Sequence, residues 1–404
     1  MTVVLERGDL GPSWWIEGDR LRAFSASAVV PMRLDCAFDP AAELRPGAVN
    51  AHTHLYSGLA SLGMPPPPRP PRDFLEILKE VWWKLDRALD HRSLRASARY
   101  AIAHALLAGT TALIDHHESP ACLEGSLDVL ADAAEELGAR VVVCYGATER
   151  NDGRHEAKLG LRECERFIRT NRRTLVKGLV GLHASFTASD ETIAEAGELA
   201  RALKVGVHVH VAEDAADVAD AQRRGYPGPL ERLMTLKALP PGSVLAHGVH
   251  LDTAQVQRAD AAGLWLVQNP RSNEGNKVGY PRALAASTHV ALGTDGWPAQ
   301  MDVERSALYR LGQAHAEAPA DLEARVEGGW GLLNWLTGSH SGAVEADATA
   351  DLVVGVAGQP PRHVIVAGRP VVVDGKLVTG DLEEIEAVAR EEAARLWSRM
   401  QHLG

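Results

Sequence analysis

Between residues 47 and 342 the chain alternates two textures. Short apolar runs that read as β-strands lie at 47–52 and at about 110–116, 140–147, 176–183, 205–211, 243–248, 263–269 and 289–295. Helical stretches such as DETIAEAGELARAL and MDVERSALYRLGQAH follow them, with apolar residues three and four apart. Eight strand–helix units are the count of an α/β protein of the (β/α)8 TIM-barrel kind. A doubly wound open sheet is the structural alternative. The barrel is favoured because polar, chemically competent residues end six or seven different strands and do not gather at one switch point.

The two ends of the chain have another texture. Residues 1–46 are short polar and apolar pieces broken by turn residues, as in GDLGPSWW. β-Branched alternation returns in RHVIVAGRPVVVDGKLV, where Ala-Gly and Asp-Gly are hairpin chemistry. These segments predict a composite β-sandwich domain from 1–46 and 343–380, a barrel over 47–342, and an amphipathic helix over 381–404. One segment breaks the barrel pattern: the Pro-rich 64–72 loop and the helix after it, which carries Trp82 and Trp83. A loop of this length at the catalytic face of a barrel reads either as a stiff surface linker or as a cover that lends an aromatic wall to a pocket.

With 46% hydrophobic and 24% charged residues, the composition is that of an ordinary globular protein. A formal charge of −11 argues against nucleic acid or an anionic membrane as partner, since both need a basic surface. No basic-then-apolar leader opens MTVVLERGDL, and no run is long enough to span a bilayer. Cys36, Cys122, Cys144 and Cys164 are scattered without a Cys-x-x-Cys pair, which predicts reduced thiols and a cytoplasmic location.

Four islands at strand ends carry the chemistry: His52-Thr53-His54, His210, His247, and Asp295 in Gly-Thr-Asp-Gly. Imidazole and carboxylate are ligands that zinc and similar divalent metals accept. On a strand, His52 and His54 at i and i+2 point the same way, into the barrel mouth. His208 and His210 repeat that geometry, with His208 a layer deeper and read as a core histidine. Glu213 begins the loop above the fifth strand. It is either a surface glutamate at a helix start or, beside a metal-activated water, a proton shuttle. Asp295 is expected to be a ligand that also accepts the water's proton. His183 ends the fourth strand and His117 the second, and both are expected to touch substrate. Arg150 ends the third, either binding an acidic substituent or standing as a solvated loop charge.

Taken in order, NAHTH, HVAE, AHGVH and GTDG resemble the metal-dependent amidohydrolase superfamily, in its cytosine-deaminase-like and chlorohydrolase-like branch. NAHTHLYSGLA, IDHHESP, VKGLVGLHASFTASDET and NPRSNEGNKVG are similar to the aminohydrolase subgroup called SsnA. The resemblance implies a mononuclear site with His52, His54, His210 and Asp295 as ligands and Glu213 as proton shuttle. It further implies that His247 orients the water or the departing group. Asn269 and Ser272 match the segment after the seventh strand, and Asn269 is expected at the substrate. It also suggests homodimers or larger homo-oligomers. Zinc is the expected single metal, with iron(II) the other choice.

Two other site models fit less well. A bridging carboxylated lysine would have to be Lys177, but it precedes His183 by about 20 Å of extended chain. The cytidine-deaminase signature needs Pro-Cys-x-x-Cys, which Pro120-Ala121-Cys122 does not complete. The expected reaction is deamination of a small nitrogen heterocycle or amidine-like substrate. Alternatives are amide or chloro-heterocycle hydrolysis at the same site, and a catalytically dead barrel that only binds.

Overall fold

The protein was analysed as a computed structural model that describes residues 2–6, 14–23, 32–36 and 38–403. Eight parallel strands follow one another in ring order: β1 (Ala48–Thr53), β2 (Thr110–Asp115), β3 (Arg140–Val143, resuming at Gly146–Ala147), β4 (Val176–Gly178 and Val180–Ala184), β5 (Val207–Val211), β6 (Val244–His247), β7 (Trp265–Gln268) and β8 (Val290–Leu292). Each pairs in parallel with the next. The ring closes through a bridge between Thr53 and Asp295. The TIM barrel expected from the alternation is therefore present, and its seam runs through the predicted site.

Period-two alternation explains how the strands sort their side chains. Ile114, Val142, Leu179, Val244, Val267 and Ala291 cluster with Trp265. The alternate residues Leu182, Val209, Leu245 and Leu266 pack instead with helix residues such as Ile193, Ala196 and Val256. The eighth strand is shorter than the sequence suggested: regular pairing spans Val290–Leu292, followed by the Gly293 amide on the Gln268 carbonyl at 2.9 Å and the single bridge at Asp295. The cause is local. The amides of Thr294 and Asp295 both donate to the carbonyl of His52 at 2.9 Å, which bends the chain across β1.

The segments on either side of the barrel pair with each other. Ala42–Pro46 pairs antiparallel with Leu352–Val356, joining the segment before the barrel to the segment after it. His363–Val366, Arg369–Val373 and Lys376–Leu377 extend that sheet. Its two hairpins turn on Ala367-Gly368 and Asp374-Gly375, all with positive φ, the two-residue turn that matches strand twist. A second sheet holds Thr2–Glu6, Trp14–Glu17, Arg20–Ala23 and Met32–Asp35. Leu5, Ile16, Leu21 and Leu34 of that sheet share an apolar cluster with Leu352, Val354 and Ile365. The turn expected around Gly11-Pro12 lies outside the described residues.

The C-terminal helix, Leu382–His402, buries Ile385, Ala389 and Leu396 in the same cluster as Leu94, Ala98 and Ile102 of helix His91–Leu107. Its Trp397 donates to the carbonyl of Leu62 at 3.0 Å, bracing the segment that follows β1. Among the described residues no helix is long and apolar enough to cross a membrane.

One buried ion pair ties the barrel to the terminal sheet. Arg140 at the start of β3 reaches both carboxylate oxygens of Asp351, each at 3.1 Å. Asp351 also accepts from Ser341 Oγ and from the Ala367 amide, both at 2.7 Å. Arg140→Met would leave that carboxylate buried without its cation and should cost about 3–5 kcal/mol in urea unfolding. A loss below about 1 kcal/mol would show that the pair does not clamp the two parts.

Candidate metal centre and active site

Backbone carbonyls of neighbouring strands set the tautomers of the key imidazoles. His54 Nδ1 lies 2.6 Å from the carbonyl of His116 beyond β2, and His210 Nδ1 lies 2.6 Å from the carbonyl of His183 on β4. A carbonyl only accepts, so both Nδ1 atoms carry the proton and both Nε2 atoms present a lone pair. Those two Nε2 atoms are 3.3 Å apart. Asp295 Oδ1 is 2.8 Å from His54 Nε2 and 3.3 Å from His52 Nε2. His52 Nδ1 contacts His208 Nε2 at 2.9 Å, while its buried Nε2 has no hydrogen-bond partner.

Lone pairs facing one another in a buried site repel unless a cation lies between them. His52, His54, His210 and Asp295 offer donors all within 4.8 Å of one another, a set that suits one tetrahedral divalent ion. The protonation states agree. Burial lowers His52 to about 3 and takes His210 well below its usual value, keeping both rings neutral. For His54 burial acts the same way, but the hydrogen bond and charge of Asp295 outweigh it and raise the ring to about 9. In the metal-free chain a proton on His54 thus takes the cation's place.

A second trio, His116, Glu118 and His210, is comparably close. It cannot hold a second ion through the same ring. His210 Nδ1 is spent on the His183 carbonyl, and its single remaining lone pair faces the first cluster.

Backbone strain concentrates around this centre. His247, Asp295 and Ala212 have φ of 77°, 54° and 50°, a left-handed conformation that non-glycine residues avoid. Asp217 accepts the Ala212 amide at 2.8 Å and so holds the turn between His210 and Glu213. Ser272 Oγ donates to the second oxygen of Asp295. His247 Nδ1 donates to Asn273 Oδ1 at 2.8 Å, so its buried Nε2 lone pair faces Glu213 Oε2 at 3.5 Å.

Glu213 and Asp295 titrate in opposite directions. Burial, with the charge of Asp295, pushes Glu213 well above the usual carboxylate range. Burial also acts on Asp295, but the imidazoles of His52 and His54 beside its Oδ1 overcome it and hold the group well below that range. One carboxyl keeps its proton where the other does not, the pattern of an acid beside a base.

A pocket opens above the cluster. His54, His183, His210, Glu213 and Asp295 line it. Phe74, Leu78, Trp82 and Trp83 supply an aromatic wall, from a helical segment that widens into one π turn over Leu78–Trp82. The segment after the Pro-rich loop thus lends the pocket its aromatic wall, while residues 64–72 do not line it.

Residues 44–320 match the model of the amidohydrolase family. The chain belongs to that family. This amidohydrolase is 28% identical over 399 residues to a 5'-deoxyadenosine deaminase of Methanopyrus kandleri, covering 88% of this chain and 87% of the relative. It is 28% identical over 268 residues to an 8-oxoguanine deaminase of Pseudomonas aeruginosa, covering 62% and 59%. Its fold matches a zinc-bound adenosine deaminase from Xanthomonas campestris, with TM-score 0.81, 21% identity and 98% of both chains covered. The amidohydrolase is a metal-dependent hydrolase acting on carbon–nitrogen bonds, and a single zinc ion fits its three-imidazole, one-carboxylate cluster.

Three expected substrate contacts are corrected by the geometry of this amidohydrolase. Arg150 does not face the pocket: its guanidinium is buried against Asp86 at 2.7 Å and lies 4.9 Å from the Trp83 ring, so it is not a solvated loop charge either. His117 is fully buried, bonds to Ser119 Oγ at 2.7 Å, and packs behind Tyr56. Asn269 is fully buried beside His247 Nδ1 at 3.4 Å, where it backs that ring and meets no ligand space. His183 does reach the pocket.

Sequence reasoning missed Glu118, Tyr56 and Asn276 in the pocket wall, and the parts that His208 and Asn273 play behind it. His208 carried a signal, since it lies two residues before His210, but a core histidine has the same spacing. His208→Phe should remove the partner of His52 Nδ1 and weaken zinc binding about 10–100-fold in competition with a chromophoric chelator. Unchanged affinity would show that His52 needs no such partner. Prolonged chelation should lower the melting temperature of the wild type, and stoichiometric zinc should restore it.

Proposed function

We propose that this amidohydrolase is an aminohydrolase that displaces ammonia from a small nitrogen heterocycle or amidine-like substrate. The observation that carries the reading is Glu213, a buried carboxyl raised well above its ordinary range by burial and by Asp295. A departing amine needs a proton, and a departing chloride does not. The deaminases named among the relatives support the same class.

In this reading His52, His54, His210 and Asp295 are the metal ligands. A divalent ion held there would lower the pKa of a water toward neutrality and so supply the nucleophile at physiological pH. Asp295 takes up the proton that the water loses. His247, fixed by Asn273, turns its Nε2 lone pair to the reacting centre and orients the attacking oxygen. Glu213 gives its proton to the ring nitrogen as the C–O bond forms. Glu213 then carries the proton from Asp295 to the amino group as the C–N bond breaks and ammonia leaves, and the proton of the new C–OH group returns to Glu213 as the carbonyl forms. His183 Nδ1 donates to Thr187 Oγ1 at 2.8 Å, which leaves Nε2 to accept a hydrogen bond from the substrate.

The wider proposal includes the composite β-sandwich of 1–46 and 343–380, supported by the apolar cluster its two sheets share, around a 47–342 barrel with a 381–404 helix. It also includes a homo-oligomer, supported by the exposed rings of Trp297 and Trp335, and a cytoplasmic location, supported by scattered cysteines.

Zinc-loaded enzyme should release ammonia from at least one member of a panel of aminopurines, pterins, pyrimidines and triazines. Chloride or carboxylate release without ammonia would overturn the reading. Glu213→Gln should keep near-stoichiometric zinc while turnover falls by about 10²–10⁴-fold. Asp295→Asn should lose both turnover and zinc. A Glu213→Gln enzyme that loses its metal or keeps full activity would refute the shuttle.

A further inference from the structure

The acidic side chains in the pocket of this amidohydrolase have no basic one opposite them. Glu118, Glu213, Asp214, Asp217 and Asp295 line it, and no lysine or arginine does. The nearest guanidinium, Arg150, is already committed. It bonds Asp86 at 2.7 Å, its side chain is 5% exposed, and the indole of Trp83 covers one face. It lies 3.8 Å from Glu118 Oε2, beyond hydrogen-bonding reach.

Glu118 is the anion of this wall least satisfied by the protein. It is 3% exposed. Its Oε1 lies 3.0 Å from His116 Nδ1 in a geometry that makes no hydrogen bond, and its Oε2 lies 3.9 Å from His183 Nε2. Burial pushes its carboxyl up, but the neighbouring His183, His116 and Arg150 outweigh it and hold it below the usual range. Asp214 accepts the Ala216 amide on the same side of the pocket, and burial pushes the Asp217 carboxyl, which accepts the Ala212 amide, up to about 7. The remaining wall is aromatic, from Tyr56, Phe74, Trp82, Trp83 and Phe186. Aromatic faces are negative and attract cations.

The reacting C–NH2 group must sit at the metal cluster, so any substituent on the ring meets this acidic and aromatic wall. We propose that the pocket selects a flat amino-heterocycle with a positively charged substituent and rejects one with a carboxylate or phosphate, with Glu118 as the selecting anion. An anionic tail would enter a low-dielectric space beside Glu118 with no lysine or arginine in the wall to pair with it. A cationic tail finds both an unsatisfied carboxylate and ring faces. Several relatives are named for S-adenosylhomocysteine, whose amino-acid carboxylate has no partner in this pocket.

The inference rests on the aminohydrolase reading only for the choice of ring, and its test reads binding apart from turnover. Quenching of tryptophan fluorescence by 9-(3-aminopropyl)adenine, 9-propyladenine and 9-(2-carboxyethyl)adenine is titrated on zinc-loaded full-length protein, with the same three tails on melamine as a second series. The ammonium member should bind more tightly than the carboxylate member by at least about tenfold in one series, the neutral member lying between. Glu118→Gln should narrow that ratio, and the wild-type series decides the matter alone if this variant does not fold. Equal affinities, the reverse order, or no binding in either series at millimolar concentration would overturn the inference. An unchanged ratio in folded Glu118→Gln would remove Glu118 from it. A cationic member that binds best yet releases no ammonia would leave the pocket's selectivity standing and count against the deaminase reading.

Discussion

Two hydrogen bonds from histidine Nδ1 to strand-end carbonyls govern this active site. Each runs across the ladder to a neighbouring strand: His54 on β1 to the carbonyl beyond β2, and His210 on β5 to the carbonyl of β4. The barrel's backbone thus decides which nitrogen carries the proton, and the Nε2 lone pairs converge as a result. Strand register and metal affinity become one property. A slip of one residue in either strand would turn the imidazole out of the barrel mouth.

The same economy governs charge. Glu213 and Asp295 share one small volume, yet two imidazoles hold Asp295 ionised while burial keeps Glu213 protonated. Further from the centre, Arg150 is enclosed by Asp86, Glu118 and Trp83, a cation that shapes the wall without entering the pocket. The terminal helix contributes at a distance: through Trp397 it braces the segment leading from β1 to the aromatic wall.

Much of this was legible in the residues alone, and the reason is periodicity. Alternation places His52 with His54 and His208 with His210, and it ends each strand where the chemistry begins. The hairpins were equally legible, because Ala-Gly and Asp-Gly fit the turns they make. What escaped were partnerships between strand-end loops. Arg150 read as a free charge because nothing local ties it to Asp86, sixty-four residues earlier in the chain. Glu118 and Asn273 were silent because a wall or a prop is defined by what packs against it. His208 looked like filler because a buried histidine carries the same signature whether or not it supports another ring. The eighth strand was drawn too long because the two hydrogen bonds that the amides of residues 294 and 295 donate to one carbonyl leave no mark in the sequence.

The left-handed backbone at Ala212, His247 and Asp295 sets a limit on how this protein can be improved. A glycine at any of the three would relax the chain, and a search guided by thermal tolerance alone would be drawn to them. At 247 and 295 relaxation would delete a working side chain, and at 212 it would loosen the spacing between His210 and Glu213. The strained corners are where robustness and reactivity pull apart. Variants selected for durability should be expected to gather mutations on the outer helices and to leave these three corners as they are.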